Sequence, residues 1–240
     1  MIILITGGAS GLGEAITRLA AQQPETEVYF TYAHSIEQAK QIEAEYPNAK
    51  GLKCDFKNRE EVSALVANIE QINIDVLVNN AYTGDFIKSY FHKTPANDFI
   101  DAFNDNIIPT VLITQAAIGV FRKKKFGKII TVSTAALVNL PPIGTSVYVA
   151  NKAYLEQLTK SWAIENSKFN ITSNLVSPAF MSTGFTNSVD ERMVEQIIDN
   201  HPLKKLLTTT EVAETVCFLM NSSQHINGLN MVLNAGTNIK

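Results

Sequence analysis

Residues 6–13 read TGGASGLG, and they stand between a short apolar run, Ile2–Thr6, and a segment of helical period at 11–23. Glycines permit a tight turn and a close approach of the backbone to a ligand. The first N–H groups of a helix have no partner within the helix and attract anions such as a pyrophosphate. The stretch therefore predicts a strand, a phosphate-binding turn and a helix, although a glycine-rich turn after a strand is also often only a turn.

The same alternation of apolar runs and helical segments continues along the chain. It is typical of βαβ units, whose strands lie parallel in one sheet. The predicted strands are 2–6, 28–32, 51–54, 76–78, 128–132, 171–176 and 230–233, and the predicted helices are 11–23, 35–46, 59–71, 98–122, 148–168 and 210–221. We therefore expect an α/β fold of three layers, with a doubly wound parallel sheet of about seven strands, in a single domain that spans 1–240. The ligand crevice of such a sheet lies beyond the carboxyl ends of its strands.

Composition and charge exclude several classes of protein. Hydrophobic residues make up 45% of the 240 residues and charged residues 18%, as in ordinary globular proteins and unlike disordered chains or coiled coils. A formal net charge of -3 gives no overall positive field, so no nucleic-acid partner is expected. Cys54 and Cys217 lack the spacing of a disulfide framework or a zinc site, and no metal is expected. No apolar stretch is long enough to span a membrane, and we predict a cytoplasmic protein.

The region 179–205 is predicted to be a lid over the substrate. Helix-breaking residues concentrate at 178–188, and a long loop is often functional, although an ordinary surface excursion is the alternative. Its apolar residues either line a substrate pocket or pack the lid onto the core; they are Phe180, Phe185, Met193 and Ile197. The basic run at 122–125 is interpreted as a solvated helix end rather than as a patch for an acidic partner.

A second pattern, YVANK at 148–152, begins a helical segment. Tyr148 and Lys152 then lie on one helix face, with Cβ atoms about 5–6 Å apart. A phenol with an ordinary pKa of about 10 is a poor acid or base near neutrality, and a nearby cation favours its ionised form. Lys152 is therefore predicted to lower the pKa of Tyr148, although YxxxK alone also arises by chance on helix surfaces.

Taken together, these motifs resemble those of the short-chain dehydrogenases/reductases, from Ile2 to near the C-terminus. The following occur in the family's order and approximate spacing: TGxxxGxG at 6–13, Asp55 at a strand end, Asn79-Asn80-Ala81, Asn106 in a helix, YxxxK at 148–152 and Pro178 after a strand. The resemblance implies a single Rossmann-like domain that binds NAD(P)H. It also implies an enzyme that moves a hydride between this dinucleotide and a carbonyl or alcohol carbon.

The resemblance further implies the catalytic roles. Tyr148 is expected to donate the proton, and Lys152 to bind the nicotinamide ribose and lower the pKa of the tyrosine. Asn106 is expected to hold a water on the proton relay through a locally distorted helix. Thr134 is expected to orient the substrate through its hydroxyl, with Ser133 as the alternative, because the interval from Thr134 to Tyr148 is one residue longer than expected for the family.

The cofactor contacts implied by position fall into four groups. They are Gly7, Ser10, Gly11, Leu12 and Gly13 at the phosphates and adjoining ribose, Asp55 and Phe56 at the adenine, Asn80, Ala81 and Tyr82 along the ribose and nicotinamide, and Pro178, Met181 and Thr183 at the carboxamide. Thr6 and Asn79 either share in these contacts or mainly tie strands and turns together.

The end of the second strand bears on which dinucleotide is used. NAD-preferring members place an acid there to hold the ribose 2′-OH, and Tyr32 occupies the matching position here. His34 and Ser35 can meet a 2′-phosphate, which favours NADP(H) over NAD(H). Against this, the glycine loop carries no Arg or Lys, and His34 is as readily an exposed loop residue.

Three departures from the family pattern stand out. Tyr82 replaces the glycine of NNAG, Ala179 replaces the glycine after Pro178, and the usual Asp-Gly-Gly near the C-terminus reads Asn-Ala-Gly at 234–236. Tyr82 therefore places a side chain where the family usually has none beside the nicotinamide. A working site is still expected, because the proton-relay residues are present.

The overall pattern is most similar to the 3-oxoacyl-[acyl-carrier-protein] reductases, which implies an acyl-thioester substrate carried on acyl carrier protein. Members with the same core also act on sugars, polyols, steroids and small ketones, so the substrate stays open. The alternatives from other classes are a dinucleotide sensor or scaffold without turnover and a non-redox enzyme such as a dehalogenase. The resemblance also implies a homotetramer or homodimer formed through the helices at 98–122 and 148–168.

Overall fold

The alternation of apolar runs and helical segments produces the predicted sheet. The computed structural model describes residues 1–87, 89–138, 140–186 and 189–237. The strands are β1 Ile2–Ile5, β2 Glu27–Tyr32, β3 Ala49–Lys53, β4 Val76–Asn79, β5 Gly127–Val132, β6 Ile171–Pro178 and β7 Asn230–Leu233. The helices are α1 Gly11–Ala21, α2 Ile36–Glu45, α3 Arg59–Ile72, α4 Ala96–Lys124, α5 Ser146–Asn166, α6 Glu191–Asn200 and α7 Thr209–Asn221. Within the described ranges the seven strands form one parallel sheet in the order β3-β2-β1-β4-β5-β6-β7.

Both faces of the sheet are covered by helices, which is why its central strands are apolar without alternation. Ile3 and Ile5 of β1 pack into the core on one face, with residues of α1, α2 and α7. Leu4 packs into the core on the other face, with residues of α3, α4 and α5. Successive side chains of a strand point to opposite faces, so one strand serves both cores.

The strand order reverses between β1 and β4, which are neighbours in the sheet although β2 and β3 separate them in the chain. The glycine loop follows β1, and the Asn79–Tyr82 stretch begins at the end of β4. A crevice forms at such a switch point, beyond the carboxyl ends of the strands. The fold therefore brings the two predicted cofactor-binding stretches to one edge.

The predicted strands and helices are confirmed, with bounds that differ by a few residues. The sequence did not predict α6, which lies within the predicted lid. The breakers before it favoured a loop, whereas Asp190 caps the helix by accepting the N–H of Arg192 at 2.8 Å. No helix in the described ranges is long and apolar enough to cross a membrane.

Candidate active site

The glycine loop between β1 and α1 is built for a close approach of the backbone to a ligand. Gly7 and Gly11 have positive φ angles of 65° and 52°, which side-chain-bearing residues rarely adopt. A Cβ added at Gly13 would lie 2.0 Å from the carbonyl oxygen of Gly7, so the loop and α1 touch without room for a side chain. Ser10, the N-cap of α1, makes no side-chain capping bond. The loop therefore fits a pyrophosphate held by the first N–H groups of the helix.

Thr6 and Asn79 tie the loops to the strands and helices. Thr6 Oγ1 accepts the N–H groups of Asn80 and Ala81, each at 3.0 Å. Asn79 Nδ2 donates to Thr114 Oγ1 of α4 at 3.0 Å. Of the two roles that the sequence leaves open for these residues, the structure shows the one that joins strands and turns.

A cleft of about 600 Å³ opens beyond the carboxyl ends of the central strands. Every predicted cofactor residue lines it: Gly7, Ser10, Gly11, Leu12, Gly13, Tyr32, His34, Asp55, Phe56, Asn80, Ala81, Tyr82, Lys152, Pro178, Met181 and Thr183. Sequence reasoning missed other lining residues, among them Cys54 and Lys57, which follow β3 on either side of Asp55 and Phe56. Phe185, which the sequence offered for an apolar substrate pocket, also lines this cleft. The structure brings the predicted residues together, and their contacts with a cofactor stay a prediction.

The end of the cleft beside β2 and β3 holds both charged and neutral groups. His34 Nε2 lies 3.7 Å from Asp55 Oδ2, and the His34 side chain is 89% exposed. Asp55 Oδ1 accepts the N–H of Lys57 at 2.9 Å, and the Asp55 N–H donates to Glu61 Oε2 at 2.7 Å. Asp55 is thus fixed in its turn, whereas the imidazole of His34 is free to meet a ligand.

Tyr148 lines the cleft from the first turn of α5 and is 8% exposed. The Thr134 hydroxyl lies close enough to its phenol to lower the pKa of Tyr148, and Thr134 Oγ1 accepts the N–H of Ala136 at 3.2 Å. Ser133 Oγ is buried and has no hydrogen-bond partner among the described residues. Of the two candidate hydroxyls, that of Thr134 therefore acts on Tyr148. The hydroxyl of Ser133 lies in the lining of the cleft without a bond to Tyr148.

Lys152 lies one turn further along α5 and is 4% exposed. Its Nζ donates to the carbonyl oxygen of Val132 at 2.8 Å and lies 5.8 Å from the centroid of the Tyr148 ring. Burial lowers the pKa of Lys152 to about 8. Burial also raises the pKa of Tyr148, and the Thr134 hydroxyl opposes that rise. Burial therefore outweighs any opposing effect at the phenol in this arrangement, and the lowering of the Tyr148 pKa by Lys152 stays a prediction.

Asn106, in α4, holds the loop that follows β4. Its Oδ1 accepts the N–H of Thr83 at 2.7 Å, and its Nδ2 donates to the carbonyl oxygen of Thr83 at 3.1 Å. Nδ2 also donates to the Ala102 carbonyl at 2.9 Å, and Thr110 Oγ1 donates to the Asn106 carbonyl at 2.7 Å. α4 passes through Asn106 as an α-helix that contains Pro109 three residues later, and the local distortion at Asn106 stays a prediction. The water-holding role stays a prediction.

Aromatic side chains enclose Tyr148 on several sides. The ring centroids of Tyr82, Phe86 and Phe185 lie 5.1, 5.1 and 5.7 Å from that of Tyr148. Phe180 packs on Phe86 at 6.4 Å. Of the lid residues that the sequence offered for an apolar pocket, Phe180 and Phe185 are therefore in this aromatic cluster.

The predicted lid at 179–205 is part loop and part helix. Its first half is folded on itself, since Thr186 Oγ1 donates to the carbonyl oxygen of Met181 at 2.7 Å. Its helix, α6, has no buried residue, and Met193 is 42% exposed. Positions 187–188 lie outside the described residues. The covering of a substrate by this region stays a prediction.

Among the described residues, neither the side chains that commonly bind metals nor the two thiols form a second reactive site. In the part of the chain that the structure describes, no group of three or more His, Cys, Asp or Glu could hold a metal ion. Cys54 and Cys217 are free thiols. Burial raises the pKa of Cys54 to about 12 and that of Cys217 to about 11, so neither is an activated nucleophile.

The chain is similar to known reductases over nearly its whole length. A family model described as enoyl-(acyl carrier protein) reductase matches residues 7–238. The 3-oxoacyl-[acyl-carrier-protein] reductase FabG of Thermotoga maritima is 31% identical over 237 residues, which cover 95% of this chain and 93% of that protein. The enzyme of the same name from Rickettsia prowazekii is 30% identical over 235 residues, or 97% and 95% of the two chains. A solved structure of a short chain dehydrogenase/reductase family protein matches with a TM-score of 0.87 and 28% identity, covering 98% of this chain and 96% of that one.

These similarities confirm the family resemblance, and the cleft at the switch point is where such a fold binds its ligand. The enzymes of this family act on CH–OH and C=O groups with a nicotinamide dinucleotide. The chain therefore belongs to the short-chain dehydrogenase/reductase family of oxidoreductases.

Proposed function

We propose that this protein reduces a ketone to a secondary alcohol with NADPH, and that the ketone is a 3-oxoacyl thioester carried on acyl carrier protein. The substrate class rests on the two relatives named 3-oxoacyl-[acyl-carrier-protein] reductases. The observation that carries the reaction is the buried phenol of Tyr148 in the lining of the cleft, where Lys152 Nζ lies 5.8 Å from its ring centroid.

The environment of Tyr148 suits a proton donor. Burial raises the pKa of this phenol, so it stays a neutral proton donor near pH 7. A nicotinamide dinucleotide held in the cleft would supply the hydride to the carbonyl carbon, and Tyr148 would give its proton to the carbonyl oxygen and regain one from solvent.

Lys152 is suited to hold the nicotinamide ribose. An ammonium has three N–H donors, and the Val132 carbonyl is the acceptor that the described residues provide for one of them. Lys152 also lines the cleft. Its remaining donors therefore favour the ribose hydroxyls as partners.

Thr134 and Ser133 are distinguished by substitution. Thr134→Val keeps the shape of the side chain but removes the hydroxyl that lowers the pKa of Tyr148, and we expect kcat to fall about 100-fold, as when a transition-state hydrogen-bond donor is lost. Ser133→Ala is the matched control, and it should leave kcat close to that of the wild type, because Ser133 has no bond to Tyr148. Steady-state kinetics with a single ketone decide this: a larger loss in Ser133→Ala than in Thr134→Val would reverse the assignment.

The preference for NADPH over NADH is proposed from the end of the cleft near β2. Tyr32 stands where an acid would repel a 2′-phosphate, and His34 and Lys57 line the same space. Asp55, 3.7 Å from His34, is the one nearby carboxylate in the described lining, and it is engaged by the backbone of Lys57. A 2′-phosphate bound at this end of the cleft would therefore meet Tyr32, His34 and Lys57, none of which carries a negative charge near pH 7.

The experiment that tests the proposed function follows the absorbance of NADPH and NADH during incubation with a panel of ketones. The panel contains an acetoacetyl thioester, diketones, quinones and keto-sugars. We expect turnover of the thioester with NADPH and a lower kcat/KM with NADH. Turnover of only a keto-sugar or a small ketone would overturn the substrate class, and a higher kcat/KM with NADH would overturn the cofactor preference.

The same experiment also tests the sensor alternative. The aromatic cluster around Tyr148 is the observation that favours it, since Tyr82, Phe86 and Phe185 all contact the proton donor. Tight binding of NADPH without turnover of any ketone would replace the reductase proposal by a dinucleotide sensor.

We further propose that the protein is an oligomer that pairs through α4 and α5. Ile100, Ile108 and Leu112 of α4 and Tyr154 of α5 are each more than 40% exposed. The rings of Phe103 and Tyr154 lie 5.1 Å apart, which joins the two helices into one apolar face. Exposed apolar patches of this kind mark interfaces. Light scattering should give the mass of a dimer or tetramer, and a monomeric mass at micromolar concentration would contradict the proposal.

The cytoplasm stays the proposed location. Both cysteines are free thiols, which suits a reducing compartment. Fractionation of the producing cells tests this location. Recovery of the protein from the periplasm or the medium would contradict it.

A further inference from the structure

Tyr82 is fixed in the cleft by bonds on both sides of it. The N–H of Ala81 donates to Thr6 Oγ1 at 3.0 Å. The N–H of Thr83 donates to Asn106 Oδ1 at 2.7 Å, and the Thr83 carbonyl accepts from Asn106 Nδ2 at 3.1 Å. The backbone of Tyr82 is therefore held between β1 and α4, and its side chain enters the cleft from a rigid support.

The ring of Tyr82 faces both groups of the proton-transfer pair. Lys152 Nζ lies 5.1 Å from the ring centroid, closer than its 5.8 Å distance from the Tyr148 ring. The Tyr148 ring meets the Tyr82 ring edge to face at 5.1 Å and 81°. The ring of Phe185 packs against both tyrosines, 5.6 Å from Tyr82 and 5.7 Å from Tyr148. The Tyr82 ring therefore fills the space between the ammonium, the catalytic phenol and the lid.

The ammonium of Lys152 is buried without an anionic partner. Among the described residues no carboxylate lies within ion-pair distance of it, and its hydrogen bond goes to the neutral carbonyl of Val132. The titratable side chains that face it are Tyr82, from the loop after β4, and Tyr148, from its own helix. A buried ammonium is costly unless something compensates its charge, and the face of an aromatic ring does so.

We propose that Tyr82 is a positioning residue that keeps Lys152 protonated and directed at the cleft by presenting its ring face to the ammonium. This inference rests on the proposed role of Lys152 in the reaction. It goes beyond that role, because it makes the charge of Lys152 depend on a side chain at the position where the family pattern has glycine. The hydroxyl of Tyr82 contributes little, since its contact with Asn151 Nδ2 is long, at 3.5 Å.

The proposal predicts a shift in the alkaline limit of activity. Ketone reduction should be lost as pH rises through the pKa of Lys152, about 8, because the charged ammonium is then removed. Tyr82→Leu keeps an apolar side chain that excludes water but removes the ring, so the charged form loses its compensation. We expect the midpoint of this loss to move down by about one pH unit.

Two control variants separate the ring face from general packing. Tyr82→Phe keeps the ring and should keep the wild-type midpoint. Phe185→Leu makes the same kind of change in the same cluster, at a ring that contacts Tyr148, whereas the rings that face Lys152 among the described residues are Tyr82 and Tyr148. It should change KM or kcat without moving the midpoint. An unmoved midpoint in Tyr82→Leu, or an equal shift in Phe185→Leu, would overturn the proposal.

A second measurement does not depend on turnover. The cofactor-free protein, labelled with 13C-lysine, is titrated by NMR, and the Cε signal of Lys152 is assigned by its disappearance in Lys152→Arg. Lys152 should titrate about one pH unit lower in Tyr82→Leu than in the wild type and Tyr82→Phe. If the protein proves inactive but this shift is present, only the proposed function fails; if the protein is active and the shift is absent, only the role of Tyr82 fails. Tyr82→Met serves as a second aliphatic variant should Tyr82→Leu not fold.

Discussion

Tyr148→Phe is expected to lower kcat for ketone reduction by roughly 10²–10⁴-fold, the range that a positioned general acid contributes. The substitution removes one oxygen, which is the proton donor and the partner of the Thr134 hydroxyl. The ring remains, so its packing against Tyr82 and Phe86 should persist. The loss should therefore appear in kcat while the Kd for NADPH changes little, as measured by kinetics and by fluorescence titration.

A matched control for this variant lies on the same helix. Tyr154 is 46% exposed on α5, and Tyr154→Phe makes the same chemical change away from the cleft. It should keep the kcat of the wild type. Activity retained in Tyr148→Phe would refute the assigned proton donor, and equal losses in both variants would point to damage to α5 rather than to chemistry.

The parts of the site that the sequence predicted are those that depend on short spacing. The glycine loop lies between a strand and a helix, and the separation of four residues between Tyr148 and Lys152 places both on one side of α5. A parallel sheet then collects the turns at the carboxyl ends of its strands at one edge. Spacing and topology thus bring the turns to one edge, whereas the individual cofactor residues that line the cleft were implied by the family resemblance.

The properties that the sequence did not predict depend on contacts between distant segments. The enclosure of Tyr148 comes from Tyr82 and Phe86 after β4 and from Phe185 in the lid, and this enclosure raises the pKa that Lys152 was predicted to lower. The i, i+4 rule gives the proximity of Lys152 but not the direction of its ammonium, which the Val132 carbonyl determines. A local pattern does not specify how far a group is desolvated, and desolvation is what governs these two pKa values.

Gly13→Ala should damage the protein more than any other single methyl group added to the glycine loop. The new Cβ would lie 2.0 Å from the Gly7 carbonyl oxygen, 2.8 Å from the Gly7 carbonyl carbon and 2.6 Å from Asn80 Nδ2. Two of these atoms are backbone, so the strain is relieved only by moving α1 away from the loop. Overpacking of this kind costs about 1–3 kcal/mol or more, and we expect a Tm lower by roughly 5–10 °C together with weaker binding of NADPH.

Gly119→Ala provides the control, because a Cβ at Gly119 in α4 meets no atom of the described residues within 4 Å, the nearby backbone of its own helix apart. Both glycines lie in helices, where alanine is intrinsically preferred by about 0.5–1 kcal/mol. Helix propensity alone therefore predicts that both variants are more stable than the wild type. Only the close contact with Gly7 predicts that Gly13→Ala is less stable while Gly119→Ala is more stable. Thermal unfolding with and without NADPH separates the two accounts. A Gly13→Ala variant as stable as Gly119→Ala, with the same rise in Tm on addition of NADPH, would mean that the loop yields easily and that the close approach of α1 does not shape the cofactor site.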